Sequence, residues 1–264
     1  MNDSEPPKVL TIAGSDSGGA AGLAADLRTF AALRVYGMGV ITAVTAQNSH
    51  SITAVHYPPP DLISAQLMAV LSDYGANAVK TGFLGRVEII TAVAEALQQY
   101  AVPHLVVDPV LVNHKGQAMF PPEVTEAYLR LLFPLAELIT PNRREAELLT
   151  GLTLKTVTEM ETAVTHLHAL GPRNVLLKAG RLGGEMHNVF YDGRTITHLP
   201  SQAIDTANTH GAGDTLSAAT AAFLAIGEGM WTAVSHAHTL THQAIRRAAQ
   251  WQMGQGHGPV WPLE

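Results

Sequence analysis

Residues 205–215 have the composition and spacing to do chemistry on an anion. They read Asp-Thr-Ala-Asn-Thr-His-Gly-Ala-Gly-Asp-Thr and run into an Ala-rich stretch that predicts a helix. Gly211 and Gly213 would leave backbone N–H groups open at the helix N-terminus, where unpaired amides and the helix dipole both favour an anion. Asp214 would lie in the first turn, as a carboxylate able to accept a proton from an attacking hydroxyl.

The same segment also suits an ordinary helix start, with Asp214 as a surface residue that the helix dipole favours. This segment alone does not separate the two interpretations. The other polar positions of the chain have to decide between them.

Polar or glycine residues follow the predicted strands where each strand ends. They are Gly14-Ser15-Asp16, Gln47-Asn48, Gly82, Asp108, Asn142 and Lys178. One such residue is often only a turn or a cap, but in open parallel sheets ligands bind beyond the carboxyl ends of the strands. Lys178 could meet a phosphate as a point charge.

Asp108, Asn142 and Glu145 together would suit Mg²⁺, which prefers oxygen ligands and usually keeps several waters. Asn142 and Glu145 also have a structural interpretation. Pro141-Asn142-x-x-Glu145 resembles a capping box at the start of a helix, in which both side chains bind backbone N–H groups.

Continuous apolar runs alternate with helical patterns along most of the chain. The runs predict strands near residues 9–13, 40–45, 78–81, 105–107, 138–140 and 175–177. This alternation indicates a parallel sheet covered on both faces. Asp192-Gly193, between two β-prone runs, indicates a hairpin, and Gly-rich residues 254–259 predict a flexible terminal loop. No repeat or linker is present, so residues 1–264 are expected to form a single domain, with residues 1–7 as a disordered tail.

Composition excludes several classes of function. The chain has 264 residues, of which 47% are hydrophobic and 14% charged, which is typical of a well-buried core. A net charge of −6 without a Lys/Arg cluster argues against nucleic acid as a partner. The absence of cysteine excludes disulfides and thiolate chemistry. A polar, acidic start and the lack of long apolar runs predict a cytoplasmic protein with no membrane partner.

Several short motifs follow one another along the chain. They are Ala13-Gly14-Ser15-Asp16-Ser17-Gly18-Gly19, Ala25-Asp26-Leu27, Val40-Ile41-Thr42-Ala43, Ala46-Gln47-Asn48, Asp108-Pro109-Val110, Thr140-Pro141-Asn142, Glu145-Ala146 and Asn208-Thr209-His210-Gly211. In this order they resemble the hydroxymethylpyrimidine/phosphomethylpyrimidine kinase family of the thiamin pathway, within the ribokinase-like superfamily. The resemblance extends over about residues 9–259. It implies an α/β fold, a three-layer α/β/α sandwich with a mainly parallel central sheet and a small β-hairpin flap.

The resemblance also implies an activity and its partners. The expected reaction uses ATP and Mg²⁺, with K⁺ as a further candidate cation, and has two steps. The first phosphorylates 4-amino-5-hydroxymethyl-2-methylpyrimidine, and the second converts the monophosphate to the diphosphate. Small-molecule hydroxymethylpyrimidine and its phosphate are therefore the expected partners, and a homodimer is the expected assembly.

Roles for individual residues follow from the same resemblance. The pyrimidine would be bound by Gly14, Asp26, Gln47 and Val110, with Phe83 lining the ring. The ATP phosphates would be held by Lys178, Asn142, Thr209 and the N–H groups of Gly211, Ala212 and Gly213. Asp108 and Glu145 would organise Mg²⁺, directly or through water, and Asp214 would be the base. Residues 112–120 would form a mobile flap that excludes water.

The chain departs from the family pattern at three places. The family usually has Gly-Thr-Gly-Cys where this chain has Gly211-Ala212-Gly213-Asp214. Aspartate at that position is the choice of the wider superfamily, including many pyridoxal kinases. Ala24 and Ala20 replace a usual Gln and Gly. Pyridoxal or pyridoxine kinase is therefore the alternative activity, and a catalytically silent pyrimidine or nucleotide sensor is the alternative of another class.

Overall fold

The computed structural model describes residues 5–113, 116–182 and 185–264. Its strands are β1 (Lys8–Asp16), β2 (Tyr36–Gln47), β3 (Ile52–His56), β4 (Ala78–Thr81), β5 (Leu105–Val107), β6 (Leu138–Ile139), β7 (Asn174–Leu182), β8 (Glu185–Tyr191) and β9 (Ile196–Gln202). Its α-helices are α1 (Gly22–Ala32), α2 (Pro60–Asp73), α3 (Val87–Tyr100), α4 (Pro122–Ala127), α5 (Arg143–Thr150), α6 (Val157–His168), α7 (Ala212–Ile226) and α8 (Met230–Ala248). A π-helical turn, Tyr128–Leu132, and a 3-10 turn, Phe133–Leu135, continue α4.

The strands of the described residues form one nine-stranded sheet in the order β3-β2-β1-β4-β5-β6-β7-β8-β9. The pairs from β2 to β7 are parallel, and the pairs that add β3, β8 and β9 are antiparallel. The chain order reverses at β1, which pairs with β2 on one side and with β4 on the other. In such sheets the crevice beyond the carboxyl ends at this reversal is the usual ligand site.

The central strands are buried on both faces because their successive side chains point to opposite layers, each covered by helices. On one face, Val9, Ala78 and Val106 pack with residues of α1, α7 and α8. On the other face, the following residues of the same strands, such as Leu10 and Val79, pack with α2, α3 and α6. This arrangement confirms the predicted α/β/α sandwich and its mainly parallel sheet.

β1 and β2 extend beyond the predicted runs 9–13 and 40–45, and two further strands differ from the sequence-based prediction. β3 was not predicted, because all five of its residues are exposed and no apolar face marks it. β7 was predicted to end at Lys178 but runs on to Leu182, because β8 pairs with it across a bulge between Lys178 and Gly180. The predicted hairpin at Asp192-Gly193 joins β8 to β9 and is confirmed.

The predicted flap and tail are described only in part. Val112 pairs with Ala118 in an isolated antiparallel bridge, and the Met119 amide donates to the Leu111 carbonyl, so the described ends of the predicted flap lie side by side. His114 and Lys115 of that segment lie outside the described residues, as do residues 1–4 of the predicted tail. Pro7 accepts a backbone hydrogen bond from Tyr36, which ties the start of β1 to β2. No helix within the described ranges is long and apolar enough to cross a membrane.

A matched pair of leucines tests the sandwich. Leu10 in β1 is 0% exposed, and Leu62 in α2 is 49% exposed. Leu10→Ala is expected to lower the free energy of unfolding by about 2–5 kcal/mol, because it leaves a cavity in the core. Leu62→Ala should change it by less than about 0.5 kcal/mol. Urea unfolding measures both, and equal losses would contradict the assigned layers.

Candidate active site

A cavity of about 750 Å³ opens at the carboxyl edge of the sheet, beside the N-termini of α1 and α7. Most residues predicted for the site line this cavity. They are Gly14, Gln47, Phe83, Asp108, Val110, Asn142, Glu145, Lys178, Thr209, Gly211, Gly213 and Asp214. Ala212 and Asp26 were predicted with them but do not line it.

The N-terminus of α7 presents open amides to the cavity. Gly211 caps the helix in the left-handed region, at φ 81°, and an added Cβ would lie 1.9 Å from the carbonyl oxygen of Ala20. Only glycine fits there. The Ala212 amide donates to the Thr209 carbonyl, so this predicted donor is already used. The amides of Gly211, Gly213 and Asp214 have no acceptor among the described residues, which leaves them for an anion.

A lysine and a carboxylate lie directly beside these amides. A Cβ added to Gly213 would lie 3.1 Å from Lys178 Nζ and 3.7 Å from Asp108 Oδ2. Lys178 Nζ donates to Asp108 Oδ1 at 2.7 Å, and Thr140 donates to the same oxygen at 3.0 Å. The bare Cα of Gly213 therefore gives a ligand access to both the cation and the amides.

Asn142 and Glu145 form the capping box of α5. The Asn142 side chain accepts from the amides of Arg144 and Glu145, and Glu145 Oε2 accepts from the Asn142 amide at 2.8 Å. Glu145 Oε1 accepts from the Leu111 amide at 3.2 Å. Burial raises the pKa of Glu145 to about 7, although Lys178 opposes the shift.

The fit of the site for Mg²⁺ therefore depends on Asp108 more than on Glu145. Both oxygens of Glu145 are occupied by amides, whereas Asp108 Oδ2 has a single long contact within the described chain, to Ser217 at 3.4 Å. Mg²⁺ usually keeps several waters and binds through one or two carboxylates. The residues present fit such a water-mediated ion.

Lys80 in β4 is a central residue of the site that the sequence analysis missed. Its side chain is fully buried, and Nζ donates to both oxygens of Asp26, at 2.9 and 2.8 Å, and to Asp214 Oδ1 at 3.0 Å. Asp26 also accepts from Thr11. Asp26 therefore lies beneath Asp214, and not on the cavity wall where substrate contact was predicted. A lysine inside a four-residue buried strand was the signal that could have identified it.

Asp214 is held in its charged form. Burial alone would raise the pKa of Asp214, but Lys80, a backbone hydrogen bond from Gly22 and the charge of Lys178 together bring it below its usual value. The side chain is 17% exposed, so it still reaches the cavity. It can accept a proton only as a weak base, although one of the correct charge.

Phe83, Gln47, His210 and His257 line the same cavity, and we call these four side chains its ring-binding wall. Phe83 contacts Phe120 edge-on, with ring centroids 5.4 Å apart. Gln47 Nε2 lies 3.3 Å from His210 Nε2, and His210 stacks on His257 at 5.2 Å. They bring aromatic rings and polar side-chain atoms to one cavity, a combination suited to a heteroaromatic ring.

His210 and His257 had no predicted role. His257 belongs to the segment predicted as a flexible terminal loop, but the segment packs onto the site. The His257 amide donates to Ser49, and the Gly258 carbonyl accepts from the His210 amide at 3.0 Å. These contacts join residues far apart in the chain, and no local pattern marks them.

The amides of α7 and Lys178 converge where a transferred phosphoryl group would need positive charge, with Asp214 alongside. Phosphoryl transfer depends mainly on such positioning and charge stabilisation. On a three-layer sandwich with its cavity at the strand reversal, this arrangement defines a small-molecule kinase of the ribokinase-like class.

Comparisons with known proteins identify the family. The profile described as phosphomethylpyrimidine kinase matches residues 16–261. A hydroxymethylpyrimidine/phosphomethylpyrimidine kinase of Rhizobium meliloti (strain 1021) is 46% identical over 253 residues, which are 95% of each chain. The chain belongs to the phosphomethylpyrimidine kinase family, as the sequence motifs predicted.

Solved structures of two kinds of kinase are similar to this fold. A phosphomethylpyrimidine kinase of Clostridium difficile 630 superimposes with a TM-score of 0.82 at 38% identity, covering 90% of this chain and 99% of the other. A pyridoxal kinase of Staphylococcus aureus in complex with AMP-PCP gives a TM-score of 0.90 at 37% identity, covering 97% and 93%. The fold is therefore common to both kinds, and the substrate must be argued from the site.

Substitution of Gly211 tests the α7 amides. Gly211→Ala would place a methyl group against the Ala20 carbonyl and shift the helix N-terminus, so phosphoryl transfer should fall about 10²–10³-fold, as for a lost transition-state donor. Gly227→Ala is the matched control, because Gly227 caps the other end of α7 at φ 102° with nothing within 4 Å of an added Cβ. Steady-state rates measure both variants, and similar losses in the two would refute the assignment.

Proposed function

We propose that this chain is an ATP-dependent kinase of thiamin biosynthesis that phosphorylates 4-amino-5-hydroxymethyl-2-methylpyrimidine and then its monophosphate. One observation carries the proposal: the Asp214 carboxylate stands beside open helix amides and Lys178 in a cavity with a ring-binding wall. The 46% identical relative, whose name gives both steps, supports the choice of substrate.

In the first step, the hydroxymethyl oxygen of the pyrimidine attacks the γ-phosphorus of ATP. The bond from that phosphorus to the β–γ bridging oxygen breaks, and ADP leaves with the bonding electrons. The hydroxyl proton passes to Asp214. The amides of Gly211 and Gly213, with Lys178, stabilise the charge that grows on the transferred group.

Substrate recognition is assigned to the ring-binding wall. Phe83 and Val110 would contact the faces and edge of the ring, and Gln47 would supply one donor and one acceptor to the aminopyrimidine edge. Gly14 lets the ring approach the backbone closely, since a Cβ there would lie 3.2 Å from the Phe83 ring. Asp26, which is buried against Lys80, is reassigned from substrate contact to support of that lysine.

The ATP phosphates would be bound by Lys178, the α7 amides, and side chains at the cavity rim. Asn142 uses its oxygen in the capping box, and its Nδ2 group is open among the described residues. The Thr209 hydroxyl lies 2.7 Å from His257 Nε2, so this histidine would orient it. Mg²⁺, held by Asp108 and Glu145 mainly through water, would supply positive charge to the phosphate oxygens. Homodimer formation, a cytoplasmic location, a single domain and K⁺ dependence stay predictions.

Pyridoxal kinase is the second candidate, and two observations favour it. Asp214 replaces the cysteine usual in the family, and the Staphylococcus aureus pyridoxal kinase superimposes with a TM-score of 0.90. A sensor without activity is disfavoured, because a binding protein needs neither the Asp214 carboxylate nor its buried lysine.

Direct assay ranks these candidates. We expect ATP-dependent ADP release with hydroxymethylpyrimidine, at a kcat/KM at least about tenfold above that for pyridoxal, because a missing polar contact costs about 1–3 kcal/mol. The measurement is coupled ADP detection with each acceptor at several concentrations. The reverse order would select pyridoxal kinase, and tight pyrimidine binding without ADP release would select the sensor.

Substitution of Asp214 tests the base. A phosphate acceptor is already largely ionised near neutral pH, so Asp214→Asn should slow the first phosphorylation about 10²–10⁴-fold and the second far less. Each step is measured separately, starting from the alcohol or from the monophosphate. Asp205→Asn, an exposed position in the same segment, is the control. Equal losses in the two steps would argue against proton transfer to Asp214.

A further inference from the structure

Lys80 occupies the centre of the strand reversal. It lies on β4 directly opposite Thr11 of β1, and both residues face the layer that contains α1 and α7. The side chain is 0% exposed. A buried ammonium is costly unless it is paired, and a well-packed apolar residue in its place is often as stable or more stable. Stability alone therefore does not explain a lysine at position 80, and we expect Lys80 to have a role in function.

The three donors of the Lys80 ammonium are all used. Two go to Asp26 Oδ1 and Oδ2, and the third goes to Asp214 Oδ1 at 3.0 Å. A lysine ammonium has three protons, so these contacts fix its direction. Gly82 packs closely above it, since a Cβ on Gly82 would lie 2.9 Å from Nζ.

Only one member of this group reaches the cavity. Asp26 and Lys80 are 0% exposed, whereas Asp214 is 17% exposed and lines the cavity. Asp26 is anchored in turn by Thr11. A chain of hydrogen bonds therefore leads from Thr11 of the sheet through Asp26 and Lys80 to Asp214, whose carboxylate lines the cavity.

Charged groups from every neighbouring element bear on Lys80. Burial lowers the pKa of Lys80, but Asp26 of α1, Asp214 of α7 and Asp108 after β5 together raise it above its usual value. The charge of Lys178 of β7 also acts on Asp214 and lowers its pKa. These carboxylates therefore keep Lys80 protonated, so a positive charge always lies next to Asp214.

We propose that Lys80, held in place by Asp26, is the positioning residue of Asp214 and keeps its carboxylate directed at the acceptor hydroxyl. The inference rests on the proposed kinase function and deepens it. Neither Lys80 nor Asp26 lines the cavity, so neither would touch the pyrimidine or ATP. Their effect on the reaction passes through Asp214 alone, so it belongs to the step that needs a base.

This assignment differs measurably from two others. Support of the fold alone would affect both phosphorylations equally. Direct contact of Asp26 with the pyrimidine would raise KM for the alcohol and leave kcat nearly unchanged. Positioning of the base lowers kcat of the first step and spares the second, whose phosphate acceptor is already ionised.

The test uses the full-length double variant Lys80→Met/Asp26→Asn. It removes the cation and its counter-anion together, so the net charge of the pair is kept, and Asp214 retains the backbone hydrogen bond from Gly22 and the charge of Lys178. We expect kcat of the first step to fall about 10²-fold, the loss typical of a misplaced catalytic group, with KM for the pyrimidine little changed. The second step should fall at least about tenfold less than the first. Lys155→Met, at an exposed lysine away from the cavity, is the control for loss of a lysine.

Single variants and unfolding measurements keep the result interpretable. Lys80→Arg keeps the positive charge, so its first-step rate should be higher than that of the double variant. A purely structural effect on the cavity would not produce this partial rescue. Urea unfolding of the double variant establishes that it is folded. Equal losses in both steps, a rise in KM alone, or an unchanged first step would each overturn the positioning role.

Failure of the proposed function is distinguishable from failure of this inference. If the wild-type chain phosphorylates pyridoxal and not hydroxymethylpyrimidine, the substrate assignment fails. The Lys80 test then proceeds with pyridoxal, through the split between kcat and KM. A wild-type chain that phosphorylates no alcohol would overturn both proposals, because there would be no base to position.

Discussion

The close approach of the α7 N-terminus to the loop before α1 is the contact on which the site depends. Gly211 lies against the Ala20 carbonyl, and Gly22 lies against the Gly14 carbonyl, where a Cβ would be 2.4 Å away. The two helices therefore begin side by side at the strand reversal. Their positive ends act on the same cavity.

The two helix ends are not equivalent, and the difference explains where an anion goes. Asp16 accepts from the amides of Gly18, Ala20 and Ala21, so the loop entering α1 already has its own carboxylate. The amides at the start of α7 have no such partner within the described chain. Among the described residues that line the cavity, open helix amides therefore lie on the α7 side, with Lys178 beside them, whereas Gly22 on the α1 side donates to Asp214.

Local signals in the sequence predicted the residues that line the cavity better than the buried residues that hold them in place. Gly211, Gly213 and Asp214 lie together in the chain, and strand ends are local features, so both could be predicted. The Asn142–Glu145 pair was predicted as a capping box or a metal site, and the structure confirms the cap. Lys80 was missed because its ion pairs reach 54 and 134 residues along the chain. β3 was missed because it buries no face.

Gln47 is the side chain proposed to bind the edge of the substrate ring. The Gln47 amide is held between His210 Nε2, 3.3 Å from Nε2 of the amide, and Thr45 Oγ1, 3.4 Å from its Oε1. An amide so held offers one acceptor and one further donor side by side. An aminopyrimidine presents the complementary pair, an amino group next to a ring nitrogen, whereas pyridoxal has no amino group next to its ring nitrogen. A side-chain amide at position 47 therefore matches the edge of an aminopyrimidine better than that of pyridoxal.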